Sequence, residues 1–417
     1  MRYRCVKCGR YLDHIDDFTC ICGGIFEVEH RFPDISLDLF DERIGTTVSP
    51  YNSGVWRYLE LIHPKIPKDL IESRPEGNTN IYYRDGISKF SGIDDILLKH
   101  EGENPTGSFK DRGMTVAISE AKRSGADRVA CASTGNTSAS MAAYAAQAGL
   151  KGVVFIPSGM ITYGKLSQAL AYGARVIQVK GNFDDAMRMI RDWSGELGLY
   201  VLNSLNPWRI EGQKSIIFEL LQQRSWEPPD WISVPAGNLG NTSAFGKALK
   251  ELSTLNLIDY IPKIISVQAE GANPFYNLWK GGKEYLESVK PDTIASAIKI
   301  GDPVSWRKAV ESLRYTDGLV EQVSDAEIMN AKAIIDRSGI GCEPASAASL
   351  AGVKKLKESG VIHSRDSVVC ILTGNLLKDP ENTVNYHLGN LGFRAEYANK
   401  AVEIEPEYED VRKAIDK

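Results

Sequence analysis

The chain has 417 residues, 43% of them hydrophobic and 25% charged, with a formal net charge of -5. That composition is globular, with apolar residues enough for two or three domains, and its acidic balance argues against nucleic acid or an anionic membrane as partner. No apolar run approaches the roughly 20 residues a spanning helix needs, and the N-terminus MRYRCVKCGR lacks the apolar stretch of a signal peptide, so a cytoplasmic protein is expected.

Residues 1–30 read as a small module. Cys5 and Cys8 stand in C-x2-C-G, and Cys20 and Cys22 in C-x-C-G-G. Two thiolate knuckles followed by glycines suit a structural zinc ion held by Cys5, Cys8, Cys20 and Cys22. The second pair is one residue shorter than the usual ribbon spacing, which leaves open a ribbon-like fold whose metal is lost or optional. Four cysteines close the coordination shell, so a catalytic zinc is not expected, and a disulfide is disfavoured in a reducing compartment. Cys131, Cys342 and Cys370 lie in apolar runs and read as buried small hydrophobes.

Residues 31–95 are loop-rich, with one helix expected over 54–62. From residue 100 the pattern alternates. Helices are expected over 109–124, 138–149, 163–172, 183–197, 210–224 and 242–253. Buried strands are expected over 128–132, 153–157, 174–179, 200–203, 231–235, 263–269 and 367–373. Short β-branched runs between helices indicate parallel sheets covered on both faces, an α/β architecture of αβα layers. A chain of this length splits into two such lobes, with ligands at the carboxyl ends of the strands. The acidic end EIEPEYEDVRKAIDK is expected to be a solvated helix or tail.

Four polar segments fall where this topology puts ligands: HEGENPTGSFKDRGM (100–114), ASTGNTSAS (132–140), PAGNLGNTSAF (235–245) and LTGN (372–375). In the third, Gly237 and Gly240 let backbone N–H groups converge at a helix N-terminus, which makes a phosphate cradle. It is neither a Walker A loop nor G-x-G-x-x-G, so a nucleotide is not indicated. A lone lysine is ordinarily a surface residue, with Asp111 and Arg112 as solvated neighbours. Lys110 at a helix start, beside a phosphate cradle, instead suggests pyridoxal phosphate held as a Schiff base.

In this order, ENPTGSFKDRGM, STGNTSAS, PAGNLGNTSAF and LTGN resemble the threonine synthase family of fold-type II pyridoxal-phosphate enzymes, over roughly residues 75 to 390. The resemblance implies a large cofactor-binding lobe (31–98 and 213–417), a small substrate-binding lobe (99–212) and a zinc-ribbon-like module (1–30). It implies that Lys110 holds the cofactor and moves protons, and that Asn136 bonds the ring oxygen. Gly237, Asn238, Leu239, Gly240 and Asn241 then cradle the cofactor phosphate, and Thr373 faces the pyridine nitrogen. A second anion site, for a substrate phosphate, would comprise Ser133, Thr137, Asn203, Ser204 and Arg209, with Lys165 nearby. Hydroxyls, amides and one guanidinium suit a phosphate dianion; without the resemblance, Asn203 and Ser204 read as helix caps. Glu343, in GCEPASAAS, matches a residue near the site, its role left open.

The implied reaction converts O-phospho-L-homoserine and water to L-threonine and phosphate, by γ-elimination and then addition of water at Cβ. The rival readings are a cysteate synthase using O-phosphoserine and sulfite, a threonine or serine dehydratase, and a non-catalytic protein whose cysteine module binds a partner. A dehydratase needs no second phosphate site, and the residues above argue against it. The resemblance further implies a homodimer, and no regulatory domain of obvious type is present.

Overall fold

A computed structural model describes residues 1–15, 17–158, 163–181 and 183–416; of residues 163–165 and 183–184 only the backbone is described. The N-terminal module is an antiparallel sheet of β1 (Arg2–Cys5), β2 (Tyr11–Leu12) and β3 (Phe26–Glu29), in the order β2-β1-β3. Tyr3, Cys5, Phe26 and Val28 alternate inward and join the main core. Arg4 and Glu27 pair on the other face, Nε to Oε1 at 2.6 Å. The loop-rich stretch that follows carries the short helices α1 (Asp38–Asp41), α2 (Leu59–Ile62) and α3 (Asp85–Ser91). The helix expected over 54–62 is a 3-10 turn, Trp56–Tyr58, continued by α2.

Two sheets make the body. The larger contains β4 (Ile81–Tyr82), β5 (Asp95–His100), β10 (Trp231–Pro235), β11 (Lys263–Ala269), β12 (Leu319–Val323) and β13 (Ser367–Leu372), in the order β12-β11-β10-β13-β5-β4. All its pairings are parallel except β4 at the edge. The smaller contains β6 (Arg128–Ala132), β7 (Lys151–Pro157), β8 (Arg175–Val179) and β9 (Tyr200–Val201), in the order β8-β7-β6-β9 and entirely parallel.

The helices are α4 (Lys110–Arg123), α5 (Asn136–Gln147), α6 (Tyr163–Ala171), α7 (Phe183–Trp193), α8 (Pro207–Gln223), α9 (Gly240–Thr254) and α10 (Pro274–Lys280), followed by α11 (Trp306–Tyr315), α12 (Asp325–Arg337), α13 (Pro344–Glu358), α14 (Pro380–Leu388) and the exposed α15 (Tyr408–Ile415). The continuous apolar run of β13 has a direct cause: Val368, Cys370 and Leu372 face one core while Val369 and Ile371 face the other. Cys131, Cys342 and Cys370 are buried.

One helix crossing positions the site. α4 packs on α8 through glycine. A Cβ added at Gly212 would lie 1.9 Å from the Arg112 carbonyl oxygen, and one at Gly113 would lie 2.8 Å from that of Arg209. With backbones this close, the first turns of α4 and α8 open onto the same space. α8 starts sharply because Asn206 caps it, its side chain accepting from Trp208 N at 3.0 Å, with Pro207 at the first position.

Candidate active site

The carboxyl ends of β6 and β10, the loop after β13 and the loop before α4 surround a cleft of about 1860 Å³. Its lining includes Lys110, Ser133, Asn136, Thr137, Asn203, Ser204, Arg209, Gly237 to Asn241, Glu343 and Thr373. Residues far apart in the chain are thus gathered in one space. The side chain of Lys165 lies outside the described residues.

The lysine loop is fixed from both sides. Phe109 N donates to Thr373 O at 3.0 Å and Asn375 N donates to Gly107 O at 2.9 Å, sewing the loop to the end of β13. Asp111 is buried, against the expectation of a solvated neighbour. It accepts from Thr106 N (2.7 Å), Thr106 Oγ1 (2.6 Å) and Ser140 Oγ of α5 (2.5 Å). Arg112 is buried as well, its Nε 2.6 Å from Glu101 Oε2 and its Nη2 2.8 Å from Glu219 Oε1; Lys99 Nζ completes the group at 2.6 Å from Glu219 Oε1. Two cations and two carboxylates therefore close on each other beneath the loop, so neither sign is left unpaired in the interior.

Lys110 opens α4, its Nζ 4.1 Å from the centre of the Phe109 ring. Burial, and then the positive charge of Arg209, push its amine down to about 7, while Glu343 opposes the shift. Glu343 is buried and its carboxyl is pushed up by that burial; Asn136 Nδ2 donates to both its oxygens at 3.1 Å. Thr373 Oγ1 lies 3.0 Å from Ser346 Oγ, a hydroxyl that also accepts from Gly374 N at 2.9 Å.

The loop after β10 has Leu239 in the left-handed region (φ 64°) just before α9 begins at Gly240. A bulky residue there is strained, as is common where a backbone is shaped for a ligand. Asn241 Oδ1 and Gln213 Oε1 are buried without a hydrogen-bond partner among the described residues, as is Arg209 Nε. Buried polar atoms are ordinarily satisfied, so orphans lining a cleft mark where a ligand's polar groups belong. Cofactor phosphate fits this loop through its donors: the N-terminus of α9 and the backbone amides of residues 237–241 that line the cleft.

Among the described residues the Arg209 guanidinium makes one hydrogen bond, Nη1 to Leu202 O at 3.3 Å, and has no carboxylate partner. Burial pulls even this guanidinium down to about 10. Asn203 is differently engaged: its Oδ1 accepts from Ala132 N and its Nδ2 donates to Ala132 O, both at 3.0 Å. It therefore ties the end of β6 to the 203–209 loop and keeps a single N–H for anything in the cleft. Ser133 Oγ accepts from Gly135 N at 3.2 Å, and Thr137 and Ser204 line the same wall. Gln213 was not singled out from the sequence. The signal was available, because it stands four residues after Arg209 on one helix and so shares its face.

In the N-terminal module the four sulfurs all lie within 4.8 Å of one another. Cys5 and Cys22 are 3.5 Å apart and Cys8 and Cys20 are 3.9 Å apart. Thiolates about 2.3 Å from a tetrahedral zinc would be separated by about 3.8 Å, so this donor set fits that ion.

Fold and site together define an enzyme that works through pyridoxal phosphate, and the family described as pyridoxal-phosphate dependent enzymes matches residues 72–374. A threonine synthase of Methanocaldococcus jannaschii is 46% identical over 388 residues, 92% of this chain and 94% of that protein. Chloroplastic threonine synthase 2 of Arabidopsis thaliana is 40% identical over 405 residues, 93% of this chain and 78% of that protein. The crystal structure of Escherichia coli threonine synthase shares the fold with a TM-score of 0.70, at 19% identity, covering 100% of this chain and 99% of that one. The chain belongs to the threonine synthase family of pyridoxal-phosphate-dependent enzymes.

Proposed function

We propose that the protein is a threonine synthase, a carbon–oxygen lyase that converts O-phospho-L-homoserine and water into L-threonine and phosphate. One observation carries the choice of a phosphorylated substrate. Arg209, a buried guanidinium without a carboxylate partner among the described residues, faces the cleft that holds Lys110.

In this reading the lobes divide at residues 31–98 with 213–417 and 99–212. Lys110 Nζ holds the cofactor, with Asn136 toward its ring oxygen, residues 237–241 around its phosphate and Thr373 Oγ1 toward its ring nitrogen. Bound pyridoxal phosphate supplies an electron sink for charge developing at the substrate's α- and β-carbons. Lys110 Nζ, brought near neutral pH by burial and by Arg209, takes up and returns the protons of those carbons. Thr373 presents a hydroxyl and not a carboxylate, which leaves the ring nitrogen less firmly protonated and puts more demand on Lys110. Arg209, Ser133, Thr137 and Ser204 hold the substrate phosphate, with Lys165 nearby. Asn203 keeps β6 and the 203–209 loop in register. Arg209 keeps the released phosphate close to Cβ, where it serves as base for the incoming water. Glu343 orients Asn136.

The cysteine module is a zinc-ribbon-like unit with a structural zinc at Cys5, Cys8, Cys20 and Cys22. The protein acts as a cytoplasmic homodimer. Phosphate release should follow O-phospho-L-homoserine alone. Release only from O-phosphoserine with sulfite would make it a cysteate synthase, and ammonia from threonine without phosphate a dehydratase.

A further inference from the structure

The cysteine module does not stand apart from the cleft. Val6, Lys7, Thr19, Gly23, Gly24 and Ile25, which flank the four cysteines, line it beside Arg209 and Ser204. The two knuckles are locked together there. Lys7 Nζ donates to Cys22 O at 2.7 Å, and a Cβ at Gly24 would lie 2.5 Å from Lys7 Cβ and 2.7 Å from Cys5 Sγ.

The module also touches both sheets' surroundings. On the large-sheet side its strands are held without help from the cysteines. Lys308 Nζ of α11 donates to Phe26 O at 2.6 Å, Lys247 Nζ of α9 donates to Val28 O, and Tyr3 meets Trp208 edge-on with centroids 6.3 Å apart. On the small-sheet side the contact comes from between the knuckles: the Phe18 ring meets Tyr200 edge-on at 5.4 Å. Tyr200 begins β9, which runs directly into Asn203 and Ser204.

We infer that the cysteine module is a metal-set brace. A thiophilic divalent ion on Cys5, Cys8, Cys20 and Cys22 fixes Phe18 and Thr19, and through Tyr200 fixes the 203–209 wall of the cleft against the large sheet. The chain between the knuckles has little core of its own, with β2 only two residues long and Cys8 exposed. Metal binding is what would order it. Because β1 and β3 are anchored by α9 and α11, losing the ion releases the knuckles without unfolding the body. Phe18 and Tyr200 are positioning residues in this scheme. The brace rests on the reading of 203–209 as a substrate-phosphate wall only for its effect on KM.

The test uses the full-length, cofactor-loaded protein: wild type, wild type treated with a zinc chelator, Cys8→Ser and Phe18→Ala. Metal content, hydrogen exchange and steady-state kinetics are measured on each. Wild type should carry about one zinc per chain, lost in the chelated and Cys8→Ser samples. Those two should exchange faster over residues 5–25 and also over 200–206, with β10 and β13 unchanged. KM for O-phospho-L-homoserine should rise between about twofold and about tenfold, the worth of one edge-to-face aromatic contact, while the visible absorbance of lysine-bound cofactor stays. Phe18→Ala should keep its zinc yet repeat the faster exchange over 200–206 and the KM rise. Wild type without metal, metal-free protein with unchanged exchange over 200–206, or a silent Phe18→Ala each overturns the brace. Should O-phospho-L-homoserine prove not to be a substrate, the exchange data still decide, so the two failures are distinguishable.

Discussion

Replacing Gly212 by alanine tests the claim that the α4–α8 crossing aims the lysine. The new Cβ would sit 1.9 Å from the Arg112 carbonyl oxygen, whereas ordinary heavy-atom contact begins near about 3.5 Å. The two backbones must part by about 1.5 Å, since neither atom is the end of a flexible side chain. Overpacking of this kind costs about 1–3 kcal/mol or more. At about 2–4 °C per kcal/mol for a lobe-sized cooperative unit, the melting temperature should fall by several degrees. The parted helices carry Lys110 and Arg209 at their first turns, and a misplacement of about 1 Å can cost about 10²-fold in rate. Differential scanning calorimetry and kcat/KM for O-phospho-L-homoserine would be read together. Gly195→Ala, with nothing within 4 Å of its Cβ, is the control and should change neither. A Gly212→Ala protein with wild-type melting and wild-type kcat/KM would refute the argument.

On the proposed mechanism Arg209→Ala should raise KM and also lower kcat, because the phosphate it would hold is needed again as base; a change in KM alone would reduce Arg209 to a binding group. Apoprotein should capture pyridoxal phosphate faster as pH rises, with a midpoint near 7 instead of 10.5, because the neutral amine is the nucleophile. Over that same window the unfolded chain holds the Lys110 proton and the folded chain does not, so this group makes stability rise with pH. Glu343→Gln removes a charge that holds the Lys110 amine up, and the capture midpoint should move lower; an upward shift would contradict the assigned interaction. Gly24→Ala should lower zinc content, measured by metal analysis, since its Cβ would meet Cys5 Sγ at 2.7 Å.

The parallel strands were readable because burial on both faces forces unbroken apolar runs, and 128–132 and 231–235 match β6 and β10 residue for residue. What lay between 269 and 367 was not. β12, LVEQV, carries Glu321 and Gln322 at the sheet edge, where each finds a polar neighbour, Lys355 Nζ 4.0 Å from Glu321 Oε1 and Asn273 Nδ2 donating to Gln322 Oε1 at 2.6 Å, and the apolar signal fades. α13 is lined with alanine, serine and glycine because it lies close on the sheet; a Cβ at Gly352 would reach Val267 Cγ2 at 2.6 Å, so size and not hydrophobicity selects its residues. The strand expected over 200–203 stops at Val201 because Asn203 turns its amide back onto Ala132. In the site, loops with glycines and hydroxyls announced themselves. The buried state of Asp111 and Arg112 did not, since a polar residue inside a helix looks alike whether it faces water or the interior, and Gln213 was legible only through its place one turn after Arg209.

The three letters K-D-R at the start of α4 form one turn of helix, and successive side chains on a helix diverge by about 100°. Each therefore speaks to a different neighbourhood: Lys110 to the cleft, Asp111 to Ser140 and Thr106, Arg112 to Glu101 and Glu219. The helix behaves like a key with two wards cut into its shaft. It cannot rotate to re-aim its working tooth without withdrawing both others from their buried partners. Changing the direction of the lysine by redesign would thus require recutting two distant linings at once, and the amine inherits its bearing from Asp111 and Arg112, which lie behind the cleft wall and not in its lining.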